Sequence, residues 1–369
     1  MQESLQNYLA NLTKISKSSN YEKPESFINL PFDENNVSKV MQTAEKITTK
    51  GKIKEVVVIG IGGSSTGAKA VYEALSKEHG QKTRLHFLDQ INLKKIYQVS
   101  NRFHKLTSDE GLIIFISKSG KTLETLKNYE LLKNALNKKF PVILITGGSV
   151  NSSLEKEADH VLKMPEKVGG RFSVFSAVGL FPLAIANINV LEFLKGGMAA
   201  RKECLKTKGN TATKKAEKVF KNYQEGKKIF NIFVFSPELK ALAYWYQQLL
   251  GESLGKEGKG LFPTITEGSK DLHSLQQYFT QGKQNVQHEF IISKEENKFQ
   301  KTILKAVQKT YQEAKIPFQI TEVEQINPNS LGRFMEEKMF KTLFLAELME
   351  VNPFGQPGVE SYKKKIKNL

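Results

Sequence analysis

Cysteine is nearly absent from this chain of 369 residues: Cys204 stands alone, so no internal disulfide can form and a reducing compartment fits. Within Arg201-Lys202-Glu203-Cys204 it reads as a solvated thiol on a helix, not a nucleophile. There are six histidines, and none lies within metal-ligand spacing of His273, which disfavours zinc or any other metal. No block of basic residues interleaves with aromatics, the pattern expected of a nucleic-acid footprint. No apolar run is clean enough to span a bilayer. Val174 to Leu194 is interrupted by Pro182, Asn187 and Asn189, whereas a span needs ~20 largely apolar residues; the run reads as a buried helix. Met1-Gln2-Glu3-Ser4 offers no basic flank followed by an apolar stretch, so no signal peptide is expected. These absences predict a cytoplasmic protein that binds neither nucleic acid nor membrane.

What is present describes a folded enzyme-sized chain. Hydrophobic residues make up 39% and charged residues 25%, as in globular domains, and the length predicts two cores. Basic residues outnumber acidic ones by 55 to 38, a net charge of +17 that favours anionic partners such as phosphorylated metabolites. The lysines are dispersed, and Lys214, Lys215, Lys218 and Lys221 read as generic surface charge on a helix.

Residues 1–50 read as polar and helical, with an irregular stretch around Pro24 and Pro31. An alternation of apolar strands and amphipathic helices follows: strands at Glu55–Ile61, Arg84–Asp89, Leu112–Ser117, Pro141–Thr146 and His160–Met164, with helices at Thr66–Glu78 and Thr122–Lys138. It pauses over the lysine-rich helical stretch Leu191–Gly226. It resumes with strands Ile229–Ser236, Leu261–Thr266, Glu289–Ser293 and Phe318–Val323 and helices Glu238–Leu249, Asp271–Phe279, Asn297–Ala314 and Leu331–Met349. Continuous apolar strands alternating with helices signal parallel sheets covered on both faces. The expected division is a helical segment 1–50, α/β domains at 51–200 and 201–350, and a tail at 351–369.

Val168-Gly169-Gly170-Arg171-Phe172-Ser173-Val174-Phe175-Ser176-Ala177 is the most informative stretch. Its glycines allow the backbone close to a ligand, Arg171 supplies a permanent cation, and Ser173 is placed to cap the apolar helix that follows. Such a group suits a site where negative charge develops. Upstream, Gly60-Ile61-Gly62-Gly63-Ser64-Ser65-Thr66-Gly67 joins a strand to a helix. It reads as an anion loop, as a dinucleotide fingerprint with Asp89 taking the ribose, or as a plain tight turn; three hydroxyls where the fingerprint wants glycine favour a sugar phosphate. Ser117-Lys118-Ser119-Gly120-Lys121-Thr122 opens another helix with three hydroxyls, either a site for one phosphate or an ordinary cap. It is not a P-loop, since Phe115 stands where the first glycine is required.

Three features lie further on. Gln248 and Glu252 stand at the end of an apolar helix, and Glu252 between Gly251 and Ser253 is a candidate general base. His273 begins a helix as a cap, core contact or catalyst. Gln356 and Lys363 bracket the start of a terminal helix.

Taken together these motifs resemble the glucose-6-phosphate isomerase (phosphoglucose isomerase) family, in a compact bacterial-type form. The resemblance covers about residues 55–366. One family motif is similar to Val168–Ala177 and a second to Leu345–Lys363 with its Gln-Pro-Gly-Val-Glu core. It implies two sugar-isomerase (SIS), flavodoxin-like α/β/α domains with mainly parallel sheets and a C-terminal helical tail closing the site. It implies reversible isomerisation of glucose 6-phosphate and fructose 6-phosphate, in glycolysis and gluconeogenesis, without a cofactor or metal. It also implies roles. Glu252 matches the base moving a proton between C2 and C1, and Arg171 with Gly170 matches the groups that stabilise the cis-enediol. His273 and Lys363 match the ring-opening residues, and Gln248 and Gln356 the substrate contacts. Ser117, Ser119 and Thr122 match the phosphate ligands, with Ser64 beside the sugar. The family pairs as a homodimer with His273 reaching the neighbour's site, for which Leu275, Tyr278 and Phe279 are a candidate interface patch. Lys121 departs from the family's threonine. Two rivals share the fold: a sugar-phosphate sensor, and an isomerase that also accepts mannose 6-phosphate.

Overall fold

The β-branched and aromatic runs form strands because each can bury both faces at once, and that requires a helix layer on either side. The computed structural model describes residues 2–50, 52–75, 83–148 and 152–366. Along the first half run α1 (Gln2–Ile15), α2 (Glu34–Lys50), β1 (Glu55–Ile59), α3 (Thr66–Leu75), β2 (Arg84–Leu88), α4 (Leu93–Phe103), β3 (Gly111–Ile116), α5 (Leu123–Ala135), β4 (Val142–Thr146), α6 (Ser152–Glu157), β5 (His160–Lys163), α7 (Ala177–Ile185) and α8 (Val190–Cys204). Then come α9 (Thr211–Gln224), β6 (Ile229–Val234), α10 (Lys240–Leu254), β7 (Phe262–Glu267), α11 (Leu272–Gln281), β8 (Val286–Ser293), α12 (Lys298–Glu313), β9 (Phe318–Val323), α13 (Pro328–Met349) and α14 (Pro357–Ile366).

Two compact units result. One comprises Ile15–Met198 and Asn327–Arg333, the other Met1–Lys14, Ala199–Ile326 and Phe334–Leu369. The first holds a parallel five-stranded sheet, order β2-β1-β3-β4-β5, with Val57 level with Ile113 and His86. On one face Val57, Ile59 and Phe115 pack against Ile96, Val99 and Phe103 of α4 and Tyr129 and Leu132 of α5. The second unit holds a parallel four-stranded sheet, order β7-β6-β8-β9. There Phe233, Phe290 and Ile292 meet Phe279 of α11 and Leu304, Val307 and Tyr311 of α12.

The other face of β8 carries a charge. Glu289, on the central strand, is fully buried together with Lys338 and Lys341 of α13. Lys341 Nζ donates to its Oε2 at 2.7 Å, Lys338 donates to Oε1, Thr321 Oγ1 donates at 2.6 Å and the Tyr246 hydroxyl at 3.2 Å. Burial alone would push the Glu289 carboxyl up, but the ammonium groups of Lys338, Lys341 and Lys215 hold it well below the usual carboxylate range. Every oxygen of the carboxylate is therefore used.

Several boundaries differ from the expectations. The run Val174–Leu194 is two helices: Asn187 takes a left-handed φ of 60° after α7, and the Asn189 side chain accepts from Glu192 N–H as α8 begins. Cys204 is buried, 4% exposed, so it is no solvated thiol; α8 places it inward on its last turn. Lys215 is no generic surface charge either, since α9 turns it inward to an ion pair with Glu337 at 2.8 Å. α4 is unannounced in the sequence reading; Asn92 starts it by accepting from Lys95 N–H at 3.0 Å. The expected helix Thr66–Glu78 is described to Leu75, and Glu78 lies outside the described residues. Among the described residues no helix is long and apolar enough to cross a membrane.

Replacing Glu289 by Gln leaves two buried ammonium groups facing a neutral amide. Breaking a buried pair in this way costs about 3–5 kcal/mol, so Glu289→Gln should unfold at markedly lower denaturant in a urea titration followed by circular dichroism.

Candidate active site

In a doubly wound sheet the connections from the two strands at which the order reverses leave on opposite faces and part at the strands' C-terminal ends, opening a crevice. In the first unit those strands are β1 and β3. The loop after β1 holds Ser64, and the loop after β3 holds Ser117, Ser119 and Thr122. The two loops are neighbours: a Cβ on Gly60 would lie 3.2 Å from the Ile116 carbonyl oxygen.

Thr122 stands at the N-cap of α5 but its side chain makes no capping bond; its Oγ1 is 3.4 Å from Ser117 Oγ. Ser117 is buried, Thr122 half-buried and Ser119 exposed, with Ser119 Oγ accepting from Lys121 N–H at 3.2 Å. The amides of a helix's first turn seek acceptors, and here they share the α5 terminus with three hydroxyls. An ordinary side-chain cap is therefore not what this motif builds. A dianion suits the position.

Arg171 belongs to a short 3-10 turn, Gly170–Phe172, and is 3% exposed. Its guanidinium lies 5.3 Å from the Phe172 ring centre, and that ring stacks on Phe27 at 4.5 Å. The turn meets the first loop main chain to main chain. A Cβ at Gly63 would fall 2.1 Å from the Gly170 carbonyl carbon and 2.4 Å from the Arg171 nitrogen, so only glycine lets the two backbones cross. At Gly63 the close approach is to another stretch of chain. The expected cap is corrected. Ser173 Oγ donates to the Gly170 carbonyl at 2.7 Å, closing the turn, while Ser176 accepts from Val178 N–H and caps α7.

Lys118, which the sequence reading passed over, ties the loop after β3 to the arginine segment. Its Nζ donates to the Val168 carbonyl at 3.1 Å. Burial lowers its ammonium from the usual lysine value; Glu166 opposes the shift, and Lys167 and Arg171 add to it. Asp89, the ribose acceptor of the dinucleotide reading, is paired with Lys69 at 2.7 Å.

The second unit carries the other candidates. α10 runs to Leu254, past the expected end at Leu249, and its C-cap is Gly255, whose N–H bonds the Gly251 carbonyl. Glu252 therefore lies on the last helical turn. It is half-buried, with Gln248 Nε2 donating to its Oε1 at 2.7 Å from one turn earlier. Gln356 precedes α14 and Lys363 lies within it, both half-buried. Lys256, two residues past α10, bonds the carbonyls of Asn352 and Phe354, so the chain leading to Gln356 is fastened beside the helix of Glu252. His273 is exposed, on the first turn of α11. Of its proposed apolar patch, Leu275 and Tyr278 are exposed, but Phe279 faces its own core against His288, ring centres 4.7 Å apart.

Parallel sheets in two units, with hydroxyls and a helix terminus gathered at a switch point, define the class of sugar-isomerase (SIS) folds. The phosphoglucose isomerase model matches residues 34–303, and the chain belongs to that family. A glucose-6-phosphate isomerase of Methanocaldococcus jannaschii is 32% identical over 350 residues, 88% of this chain and 86% of that protein. Among solved structures, a hypothetical protein of Thermus thermophilus has a TM-score of 0.86 at 27% identity, covering all of this chain and 94% of that one. A glucose-6-phosphate isomerase of Chlamydia trachomatis shares the fold with a TM-score of 0.82 at 21% identity, covering all of this chain and 77% of that one.

Because the Gly63 crossing sets the height of the arginine turn, Gly63→Ala should displace Arg171. A misplacement of about 1 Å costs turnover of the order of 10²-fold. A lowered kcat in a coupled isomerase assay, alongside a lowered melting temperature, is the expected outcome.

Proposed function

We propose that this chain interconverts glucose 6-phosphate and fructose 6-phosphate, by opening the ring and moving one proton through a cis-enediol. The match of the phosphoglucose isomerase model to residues 34–303 carries the reading. The hydroxyl-lined helix terminus beside a buried arginine supports it, because that is the chemistry a phosphorylated, enediolate-forming substrate requires.

Ser117, Ser119 and Thr122 hold the phosphate, with Ser64 beside the sugar. Phosphate binding, remote from the reacting carbons, positions them. His273 and Lys363 assist ring opening, and Gln248 and Gln356 contact the sugar. Glu252 then removes the C2 proton of the open-chain aldose and delivers it to C1, while the hydroxyl proton passes from O2 to O1, giving the ketose. The negative charge formed between these steps is met by Arg171, with Gly170 alongside. A guanidinium serves where an ammonium would not suffice, since it stays charged and presents a planar fork. No metal or cofactor takes part in this scheme. The single cysteine accords with a reducing cytoplasm.

The assay is glucose 6-phosphate formation from fructose 6-phosphate by the purified chain. Phosphate-ester binding without turnover would leave a sugar-phosphate sensor in its place. Glu252→Gln keeps the size and hydrogen bonding of the carboxylate but cannot act as a base. It should lower both turnover and exchange of the C2 proton with deuterated solvent by ~10²–10⁴-fold with substrate affinity nearly intact. Near-normal exchange would remove Glu252 from the role.

The proposed assembly is a homodimer in which His273 serves the partner's site. Inactive His273→Ala and inactive Glu252→Gln proteins, mixed under conditions of subunit exchange, should then regain activity, since each heterodimer has one intact site. No recovery after verified exchange would keep His273 in its own subunit's site.

A further inference from the structure

The segment joining α13 to α14 has little regular structure, yet it carries Gln356 and leads into the helix of Lys363. A loop distant in sequence decides where it lies. After α10, residues 255–260 read Gly-Lys-Glu-Gly-Lys-Gly. Glu257, Gly258 and Gly260 take left-handed φ values of 55°, 72° and 115°, and Lys259 N–H closes a turn on the Lys256 carbonyl at 2.8 Å. A side chain at 260 is excluded by space as well, since its Cβ would lie 2.4 Å from the Leu254 carbonyl oxygen.

This turn sends two ammonium groups to one stretch of chain. Lys256 Nζ donates to the carbonyl oxygens of Asn352 at 2.5 Å and Phe354 at 2.7 Å. Lys259 Nζ donates to those of Met349 at 3.1 Å and Glu350 at 3.5 Å, at the C-terminal end of α13, where the helix dipole favours a cation. Charge-assisted bonds of this kind are stronger than neutral ones. Their acceptors are main-chain oxygens at the end of α13 and in the connector that follows it.

Resting on the isomerase reading, we propose that Lys256 is a positioning residue for the reaction: it holds the tail bearing Gln356 and Lys363 against the end of the helix bearing Glu252. Glu252 lies one turn before Lys256, so the base and the tail take their places from the same few residues. Lys259 secures the end of α13, upstream of the connector; Lys256 secures the connector itself.

The variant Lys256→Met removes the ammonium and keeps the stem. Expected is a fall in kcat of the order of 10²-fold with a much smaller change in KM. Hydrogen–deuterium exchange followed by mass spectrometry should show faster exchange over residues 352–356. Lys256→Arg, which keeps a charged donor, should restore most of both. If the methionine variant does not fold, Lys256→Gln is carried through the same two measurements. A fall in turnover with tail exchange unchanged overturns the proposal, and so does a loosened tail with turnover unchanged. Wild-type protein inactive on both hexose phosphates would overturn the isomerase reading, while the exchange comparison would still decide whether Lys256 holds the tail.

Discussion

Parallel strands cannot be joined by hairpins: each must be followed by a crossover that carries the chain back to the end of the sheet where the strand began, and crossovers share one hand. Where the strand order reverses, consecutive crossovers leave on opposite faces and the loops part. In the first unit the parting falls between β1 and β3. Ser64 and the Ser117–Thr122 loop are near one another because of that reversal, although more than fifty residues of sequence divide them. The helices supply the rest, since α5 begins where the crevice opens and presents its first amides there.

Contacts to main-chain atoms fasten loops in both units. Gly63 lets one backbone cross another, Lys118 bonds the Val168 carbonyl, and Lys256 bonds those of Asn352 and Phe354. Contacts of this type fix where a loop lies without prescribing its side chains, which leaves Ser64, Arg171 and Gln356 open to selection for chemistry. They also leave little trace in a sequence. A lysine that bonds a carbonyl a hundred residues away looks like any other lysine.

That difference explains what could be read in advance. Strands such as Phe318–Val323 stand out because their apolar pattern is local, and the loop motifs stand out because glycine, serine and threonine crowd together within a few positions. α4 is amphipathic, with Ile96, Val99 and Phe103 buried at helical spacing and Lys94, Lys95 and Arg102 on the other side, so its pattern was there to be read. The helix of Glu252 runs past Gly251, which locally looks like a stop, and ends instead at the Gly255 C-cap. Ser176 took the capping role expected of Ser173 because the arginine turn needed the Ser173 hydroxyl for its own closure. The burial of Lys338 and Lys341 rests on Glu289, about fifty positions away, a separation that no periodicity reports.

The ion cluster under the second sheet also fixes a rotation. Lys338 and Lys341 are three residues apart and share one side of α13, so turning this 22-residue helix about its axis would draw both ammonium groups off Glu289. The azimuth of the helix is thereby locked at its middle. Its far end lies eight residues on from Lys341, about 12 Å at the helical rise, and is the point from which the chain departs for Gln356 and Lys363. A buried carboxylate that never meets solvent thus sets the compass bearing along which the tail sets out.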